Sequence, residues 1–139
     1  MRIKTWAALA AALCLPLLSG CGDDNAQKGY VRIVNATTEY ASLDLYTLNS
    51  DGGNDLFLSG TQAGQASGYK DIDKGSYTFE VKGSTSAGAA TPAPGTVTKG
   101  DHFSVVTYLT GNSTKTQFFS DEESAPSANN AKLRIFNAA

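Results

Sequence analysis

Alternating apolar and polar residues recur in short segments along this chain after its first 29 residues. The clearest example is residues 76–82, where Tyr77, Phe79 and Val81 alternate with hydroxyl-bearing or charged residues. A period of two is typical of a β-strand with one face toward a core and the other toward water. We therefore predict a strand here that packs through its three apolar residues.

Similar segments follow one another, separated by turn-forming runs such as residues 49–55, which are rich in Asn, Asp and Gly. Residues 102–109 are apolar on both faces, which predicts a central strand, whereas residues 83–95, with two prolines, are predicted to form a mobile loop. Seven or eight short strands without helical periodicity after residue 20 predict an all-β fold, a β-sandwich. The predicted strands are residues 30–36, 43–48, 56–58, 69–72, 76–82, 96–98, 102–109 and 115–119.

One strand pattern is repeated: YVRIVNA at residues 30–36 returns as KLRIFNA at residues 132–138. A lone second copy would expose its backbone and apolar side chains, so it needs a partner. It could add to an edge of its own domain, complement a partner by strand addition, or begin another domain. We predict the last, with a domain at 30–119, a linker at 120–130, and 131–139 as the first strand of a truncated second repeat. The identical pairs are Arg32 and Arg134, Ile33 and Ile135, Asn35 and Asn137, and Ala36 and Ala138.

The first 20 residues have the layout of a secretory signal, predicted to be helical. Arg2 and Lys4 precede an apolar run at residues 6–18, which is too short for a comfortable membrane span. Leu-Ser-Gly then stands before Cys21, an arrangement that resembles the lipobox of bacterial lipoproteins. This resemblance implies an acylated Cys21 at the mature N-terminus, with residues 21–29 as a tether. Ordinary signal cleavage beside an incidental cysteine is the alternative.

Cysteine and charge usage fit an exported protein that does not bind nucleic acid. The other cysteine, Cys14, lies in the apolar run and would be removed with it, so no intrachain disulfide could form and the core must hold the domain.

The chain carries a net charge of −2. Its charges are scattered, apart from the acidic run 121–123, which we predict to belong to a solvated linker. Nucleic acid is not an expected partner, because phosphate binding needs clustered Lys and Arg.

The strand segments together resemble a known family. VRIVNAT, LDLYT, GQASGYKDIDKGSYTFEV and TVTKGDHFSVVTYLTG, in this order, resemble the bacterial domain-of-unknown-function family 4397 over residues 29–119. The resemblance implies an immunoglobulin-like antiparallel sandwich in an exported, lipid-anchored protein, often in tandem copies. The proline-containing turn that the family has after its first strand is replaced here by Thr37-Thr38-Glu39. The family has no established activity, so the resemblance implies no catalytic residues.

Candidate catalytic and metal-binding residues are few. His102 is the single histidine, and no G-x-S-x-G segment offers it a serine nucleophile. We predict a non-enzymatic module, and a hydrolase using His102 is the alternative. Zinc would lack Cys and His ligands, while Asp51, Asn54 and Asp55 lack the spacing of a calcium-binding EF-hand loop, so no metal or cofactor is expected.

Four tyrosines are binding candidates: Tyr40, Tyr46, Tyr69 and Tyr108. They could form a sugar-binding platform if some of them lie together outside the core, and half-buried strand positions are the alternative. The sequence thus predicts a binding or structural module of the bacterial cell envelope, anchored in the outer membrane through Cys21. Its expected partners are membrane lipid and an envelope protein or carbohydrate.

Overall fold

The structure is a computed structural model that describes residues 27–84, 90–122 and 124–137. The predicted signal segment and Cys21 lie outside these residues. Eight β-strands form two four-stranded sheets, which confirms the predicted all-β sandwich. The strands are β1 (Lys28–Ala36), β2 (Ser42–Leu48), β3 (Asn54–Gln62), β4 (Lys70–Asp73), β5 (Gly75–Gly83), β6 (Ala93–Val97), β7 (His102–Thr110) and β8 (Ser113–Ser120). Sheet A has the order β4-β1-β7-β8, and sheet B has the order β3-β2-β5-β6.

Strand β1 lies inside sheet A, antiparallel to β4 and parallel to β7, whereas every other strand pair is antiparallel. Its residues Val31, Ile33 and Asn35 face inward and are 0% exposed, while the alternate residues are half-buried on the outer face. Strand β7 lies between β1 and β8 and is buried along most of its length, as expected for the central strand that its apolar pattern predicted.

The core between the sheets is apolar and is joined by stacked aromatic rings. Phe118 of β8 stacks on Phe79 of β5 at 5.4 Å and on Phe103 of β7 at 4.9 Å between ring centroids, so it connects sheet A to sheet B. Val81 is also fully buried, and Tyr77 packs against the core from its rim, as their alternation in the sequence predicted. The buried core residues are Val31, Ile33, Leu43, Leu45, Phe79, Val81, Ala90, Val97, Phe103 and Val105.

The loop predicted over residues 83–95 is wrong at its C-terminal end, because β6 already begins at Ala93. Pro94 is compatible with β6 because β6 is one of the two edge strands of sheet B, where a missing N–H can face away from the neighbouring strand. Gly95 is needed for packing, since a Cβ at this position would lie 2.5 Å from Cγ of Phe118. Both residues mark a loop by composition but serve a strand here.

The C-terminal segment lies against the outer face of sheet A. Phe136 contacts Tyr108 of β7 and Phe119 of β8 edge-on, at centroid distances of 5.0 and 5.2 Å. Leu133 and Ile135 are 84% and 80% exposed. Residues 132–137 form no strand, so the strand predicted for this second copy is not formed within its described part. That 131–139 begins another repeat stays a prediction.

Candidate binding site

Polar and aromatic side chains gather on the outer face of sheet A, at the end where β7 begins. We call this group the Tyr69 cluster. Strand β1 supplies Tyr30 and Arg32, and the parallel register places them beside His102 and Ser104 of β7. Tyr69 immediately precedes β4, and Asp121 immediately follows β8. The members of the cluster are Tyr30, Arg32, Tyr69, His102, Ser104, Asp121 and Glu122.

The carboxylate of Asp121 is the centre of this cluster. Its Oδ2 atom accepts hydrogen bonds from the hydroxyl of Tyr69 at 2.9 Å and from the hydroxyl of Ser104 at 2.6 Å. Arg32 donates from Nε to Ser104 Oγ at 2.8 Å, and its Nη2 lies 3.8 Å from the same carboxylate oxygen. The side chain of Asp121 is only 20% exposed. The prediction of a solvated linker over 121–123 is therefore wrong for Asp121.

Tyr69 presents a ring that is fixed yet accessible. The guanidinium carbon of Arg32 lies 4.7 Å from the ring centroid, and His102 meets the ring edge-on at 4.8 Å. The residue is still 40% exposed. Partial burial, followed by the hydrogen bond to Asp121 and the charge of that carboxylate, raises the pKa of the Tyr69 hydroxyl above its ordinary value. Tyr69 is thus a protonated donor at neutral pH.

His102 is held between an aromatic ring and a carboxylate. Its imidazole stacks on Tyr30 at 4.8 Å, and its Nδ1 lies 2.9 Å from Oε1 of Glu122. The same oxygen accepts the backbone N–H of His102 at 2.9 Å. Ser104 lies two residues further along β7 on the same face, but its hydroxyl donates to Asp121. The geometry therefore orients His102 toward Glu122 and engages Ser104 elsewhere.

The four tyrosines singled out from the sequence do not form one platform. Only Tyr69 belongs to the cluster. Tyr108 is on the same face but six residues along β7 from His102, about 20 Å at the usual rise of a strand, and it contacts Phe136. Tyr46 lies on the outer face of sheet B, where Lys82 Nζ is 4.9 Å from its ring centroid. Tyr40 packs against the core.

A second concave region lies on sheet B, where strands β5 and β6 meet the turn after β2. This groove has a volume of about 880 Å³ and contains no charged residue in its lining. Tyr77 faces it, and the hydroxyl of Tyr77 donates to the carbonyl oxygen of Asp73 at 2.9 Å. The lining residues are Leu48, Asn49, Ser50, Ser76, Tyr77, Thr78, Pro94, Gly95 and Thr96.

The predicted turn over residues 49–55 is formed by residues 49–53, because β3 already begins at Asn54, and hydrogen bonds between nearby side chains and backbone groups hold it. The Oδ1 atom of Asp51 accepts the N–H of Gly53 at 3.3 Å, and the amide of Asn49 donates to Asp55 at 3.0 Å. Across residues 27–84, 90–122 and 124–137, no three or more His, Cys, Asp or Glu residues are grouped so that they could hold a metal ion. In the part of the chain that the structure describes, no helix is long and apolar enough to cross a membrane.

Sequence reasoning missed Arg32, Ser104 and Asp121 as members of a site. One signal was available, since an arginine stands at the same outward position in both copies of the repeated strand, Arg32 and Arg134. A charged residue at the same position of both copies, between apolar residues, favours a partner for its side chain on the outer face. No local pattern, however, connects residue 121 to residues 32, 69 and 104.

The two sheets and this ordered surface define a β-sandwich module with a polar and aromatic patch on one outer face. The chain belongs to the family described as "Domain of unknown function (DUF4397)", whose model matches residues 29–139. The family predicted from the strand segments is confirmed, and the match includes the C-terminal copy as well. The chain is similar to a solved structure titled "NMR structure of the protein from Eubacterium rectale", with 20% identity, coverage of 72% of this chain and 94% of that chain, and a TM-score of 0.39. No curated protein matches this chain.

Proposed function

We propose that this protein is a lipid-anchored module of the bacterial cell envelope that binds an envelope carbohydrate through the Tyr69 cluster. The observation that carries the binding role is the ring of Tyr69, which is 40% exposed although Arg32, His102 and Asp121 hold it in place. A rigid aromatic side chain offers a large contact area and loses little conformational entropy when a ligand binds.

The polar neighbours of Tyr69 suit a ligand rich in hydroxyl groups. Carboxylate oxygens of Asp121 and Glu122 can accept hydrogen bonds, while the guanidinium of Arg32 and the ring of His102 can donate them. A sugar presents an apolar face to an aromatic ring and hydroxyl groups around its edge. The cluster combines a ring with both kinds of hydrogen-bonding group within one small surface, which supports carbohydrate as the ligand class.

Anchoring is proposed from the segment before the domain. Leu-Ser-Gly-Cys follows an apolar run of signal type, and β1 begins only a few residues after Cys21. Each buried methylene of an acyl chain contributes about 0.8 kcal/mol, so several chains on Cys21 would anchor the domain stably. The residue after Cys21 is Gly22 rather than an aspartate, which favours the outer membrane. Separation of inner and outer membranes by density, with detection of the protein, tests this location.

A pair of cysteine variants tests the anchor. Cys21→Ala is expected to release the protein from the membrane fraction. Cys14→Ala is the matched control, because Cys14 lies in the segment that is removed, and this variant should stay in the membrane fraction. Continued membrane association of Cys21→Ala at the wild-type level would contradict the proposal.

Binding is tested with the full mature chain carrying Cys21→Ala, which keeps it in solution. On a glycan array, Tyr69→Ala is expected to lose at least about tenfold in binding, equivalent to about 1.4 kcal/mol. Tyr46→Ala, on the outer face of the other sheet, should bind as the parent does. A blank array combined with capture of an envelope protein that depends on Tyr69 would indicate a protein ligand, and two blank results would indicate a spacer.

We further propose that the module acts without catalysis. Support comes from the hydroxyl of Ser104, which donates to Asp121, and from the contact of His102 Nδ1 with Glu122. A serine nucleophile needs its proton taken by the base, and this pair does not have that arrangement. The competing hypothesis, a hydrolase using His102, predicts that an assigned hydrolytic activity disappears in His102→Ala. Retention of that activity would exclude His102 as the base.

A further inference from the structure

We propose that residues 132–137 are a substitute for β1 that can occupy the position of β1 in sheet A, between β4 and β7 of the same molecule. We call this position the β1 slot. Three features of the molecule support this replacement: the inward face of the repeated strand, the contacts of Arg134, and the route of the chain after β8. The replacement does not require a particular ligand.

At three inward positions, the copy repeats the type of side chain that β1 buries. In β1, three alternate residues are 0% exposed: two apolar residues followed by an asparagine. The copy has the same order at the same spacing, with one methylene more at the first position and identical residues at the other two. In its observed place the copy leaves its two apolar counterparts 84% and 80% exposed. The corresponding pairs are Val31 and Leu133, Ile33 and Ile135, and Asn35 and Asn137.

Asn35 is the most informative of these residues, because burial of a side-chain amide costs free energy unless hydrogen-bonding groups surround it. Its Nδ2 donates to the carbonyl oxygens of Tyr40 at 3.3 Å and Thr61 at 3.2 Å, and its Oδ1 accepts the backbone N–H of Thr37 at 3.1 Å. The residue that repeats it, Asn137, is exposed. Thr61 belongs to β3, so its carbonyl oxygen would remain in place to receive the amide of an asparagine that entered the β1 slot, whereas Thr37 and Tyr40 lie in the segment that follows β1.

On the outward face, the copy and β1 contact the same carboxylate, that of Asp121. Arg32 lies 3.8 Å from Oδ2 of Asp121, and Arg134 lies 4.0 Å from Oδ1 of the same carboxylate. Arg134 also donates to the carbonyl oxygen of Ser120 at 2.5 Å. The two repeated arginines therefore converge on one carboxylate at the end of sheet A. Arg134 therefore lies at the end of sheet A where β8 ends and where Arg32 of β1 also contacts Asp121.

The route of the chain allows the replacement without a change of direction. Strand β1 starts beside His102, and the N–H of Asp121 donates to the carbonyl oxygen of His102 at 2.8 Å, so both segments meet the same end of β7. From Asp121, which follows β8, the β1 slot is about two strand spacings away across β7, roughly 10 Å. Residues 121–131 can span this distance, at up to about 3.3 Å per residue. The copy would run parallel to β7, as β1 does.

The exchange would replace one buried apolar strand by another of similar size. Expulsion of β1 exposes Val31 and Ile33, and entry of the copy covers Leu133 and Ile135. The loss and the gain of buried apolar area are similar, so the occupancy of the β1 slot depends on small differences between the two strands. A substitution that disables β1 should therefore shift the slot to the copy.

Aspartate substitutions in the full mature chain, carrying Cys21→Ala, test this. Ile135→Asp alone should leave the thermal midpoint unchanged, because Ile135 is exposed while β1 fills the slot. Ile33→Asp alone should keep a cooperative thermal transition at a lower midpoint. The double variant should lose the transition. Hydrogen exchange gives the direct readout, since amides of residues 133–137 should exchange at least tenfold more slowly in Ile33→Asp than in the parent.

Two results would overturn the proposal. The first is loss of the cooperative transition in Ile33→Asp to the same degree as in the double variant, which would mean that the copy cannot replace β1. The second concerns mass, measured by light scattering after size exclusion. A folded monomer of Ile33→Asp is expected, whereas a folded dimer with protected residues 133–137 would assign the copy to the slot of a second molecule.

Discussion

The hydroxyl of Tyr69 donates a hydrogen bond of 2.9 Å to the carboxylate of Asp121. Tyr69 precedes β4 and Asp121 follows β8, and these are the two edge strands of sheet A. The bond therefore connects the two sides of the sheet across the outer face, with Arg32 and Ser104 between them. The exposed ring of Tyr69 takes its fixed position from this connection.

The first prediction concerns the pKa of Tyr69. Asp121→Asn keeps the shape of the side chain but removes its charge, so the pKa of the Tyr69 hydroxyl should fall toward its ordinary value of 10.0. Burial, the largest cause of the upward shift, persists in the variant, where the charge of Arg32 and the hydrogen bond with Ser104 oppose it. Titration of the tyrosine ring carbons by NMR measures this change. Asp71→Asn, which removes a carboxylate paired with Lys28, is the control and should leave Tyr69 unaffected.

The second prediction is a loss of stability at alkaline pH. The pKa values of Tyr69 and Tyr77 are raised in the folded state, mainly by burial, so the folded protein holds these protons more tightly than the unfolded chain. Their contribution is complete below pH 10.0 and is lost as the pH rises through the folded-state pKa values. Both residues are partly solvated, so we expect each to contribute less than about 1 kcal/mol.

Urea unfolding from neutral pH to about pH 11 measures this loss. The variant with Tyr69→Phe and Tyr77→Phe should show a shallower decline of the unfolding free energy than the parent. An equally steep decline in that variant would show that other groups cause the alkaline loss.

Asp71 acts in the opposite direction: its pKa is lowered, chiefly by the hydrogen bond from Lys28, so its contribution to stability is present above pH 3.8 and is lost as the pH falls.

The third prediction tests the close contact of β6 with β8. Gly95→Ala should reduce the unfolding free energy by about 1–3 kcal/mol, because the added Cβ would meet the ring of Phe118, which stacks on two other core rings. Gly68→Ala is the control, since no atom lies within 4 Å of the Cβ that it adds. Chemical denaturation measures both variants, and equal stabilities of the two would contradict the packing.

The fourth prediction concerns the buried amide of Asn35. Asn35→Ala should cost at least about 2 kcal/mol of unfolding free energy, because the carbonyl groups of Tyr40 and Thr61 lose a donor inside the domain. The experiment is made in the Ile135→Asp background, where the copy cannot take the place of β1. Asn137→Ala in the same background should change the unfolding free energy by no more than about 0.5 kcal/mol, as is usual for an exposed position. Similar losses in the two variants would argue against a special role of the buried amide.

Much of the fold follows from local sequence patterns. The alternation in β5 correctly placed Phe79 and Val81 in the core, and the apolar run of β7 correctly predicted a central strand. Residues 49–53 form a turn because Asn and Asp satisfy backbone groups locally and Gly52 adopts a φ of 82°. Such features are readable because they depend on neighbouring residues.

Other features depend on residues far apart in the chain. Alternation showed that Val31 and Ile33 share a face but not that β1 pairs with β7 in parallel, a pairing that brings Arg32 to Ser104. It also did not show that Asp121, the first residue of the acidic run, accepts hydrogen bonds from Tyr69 and Ser104. Contacts of this kind are set by strand order and register, which no single segment encodes.

The sequence by itself determined the β-sandwich class, the family and the existence of a second copy of β1, because periodicity and repetition are local properties of the chain. Only the tertiary structure decided which strands are neighbours, which tyrosine remains exposed and fixed, and where the copy lies. The physical reason is that strand alternation assigns side chains to a face, whereas a site requires side chains from separate strands within hydrogen-bonding distance. For Tyr69, Arg32 and Asp121, that distance exists only after sheet A has formed.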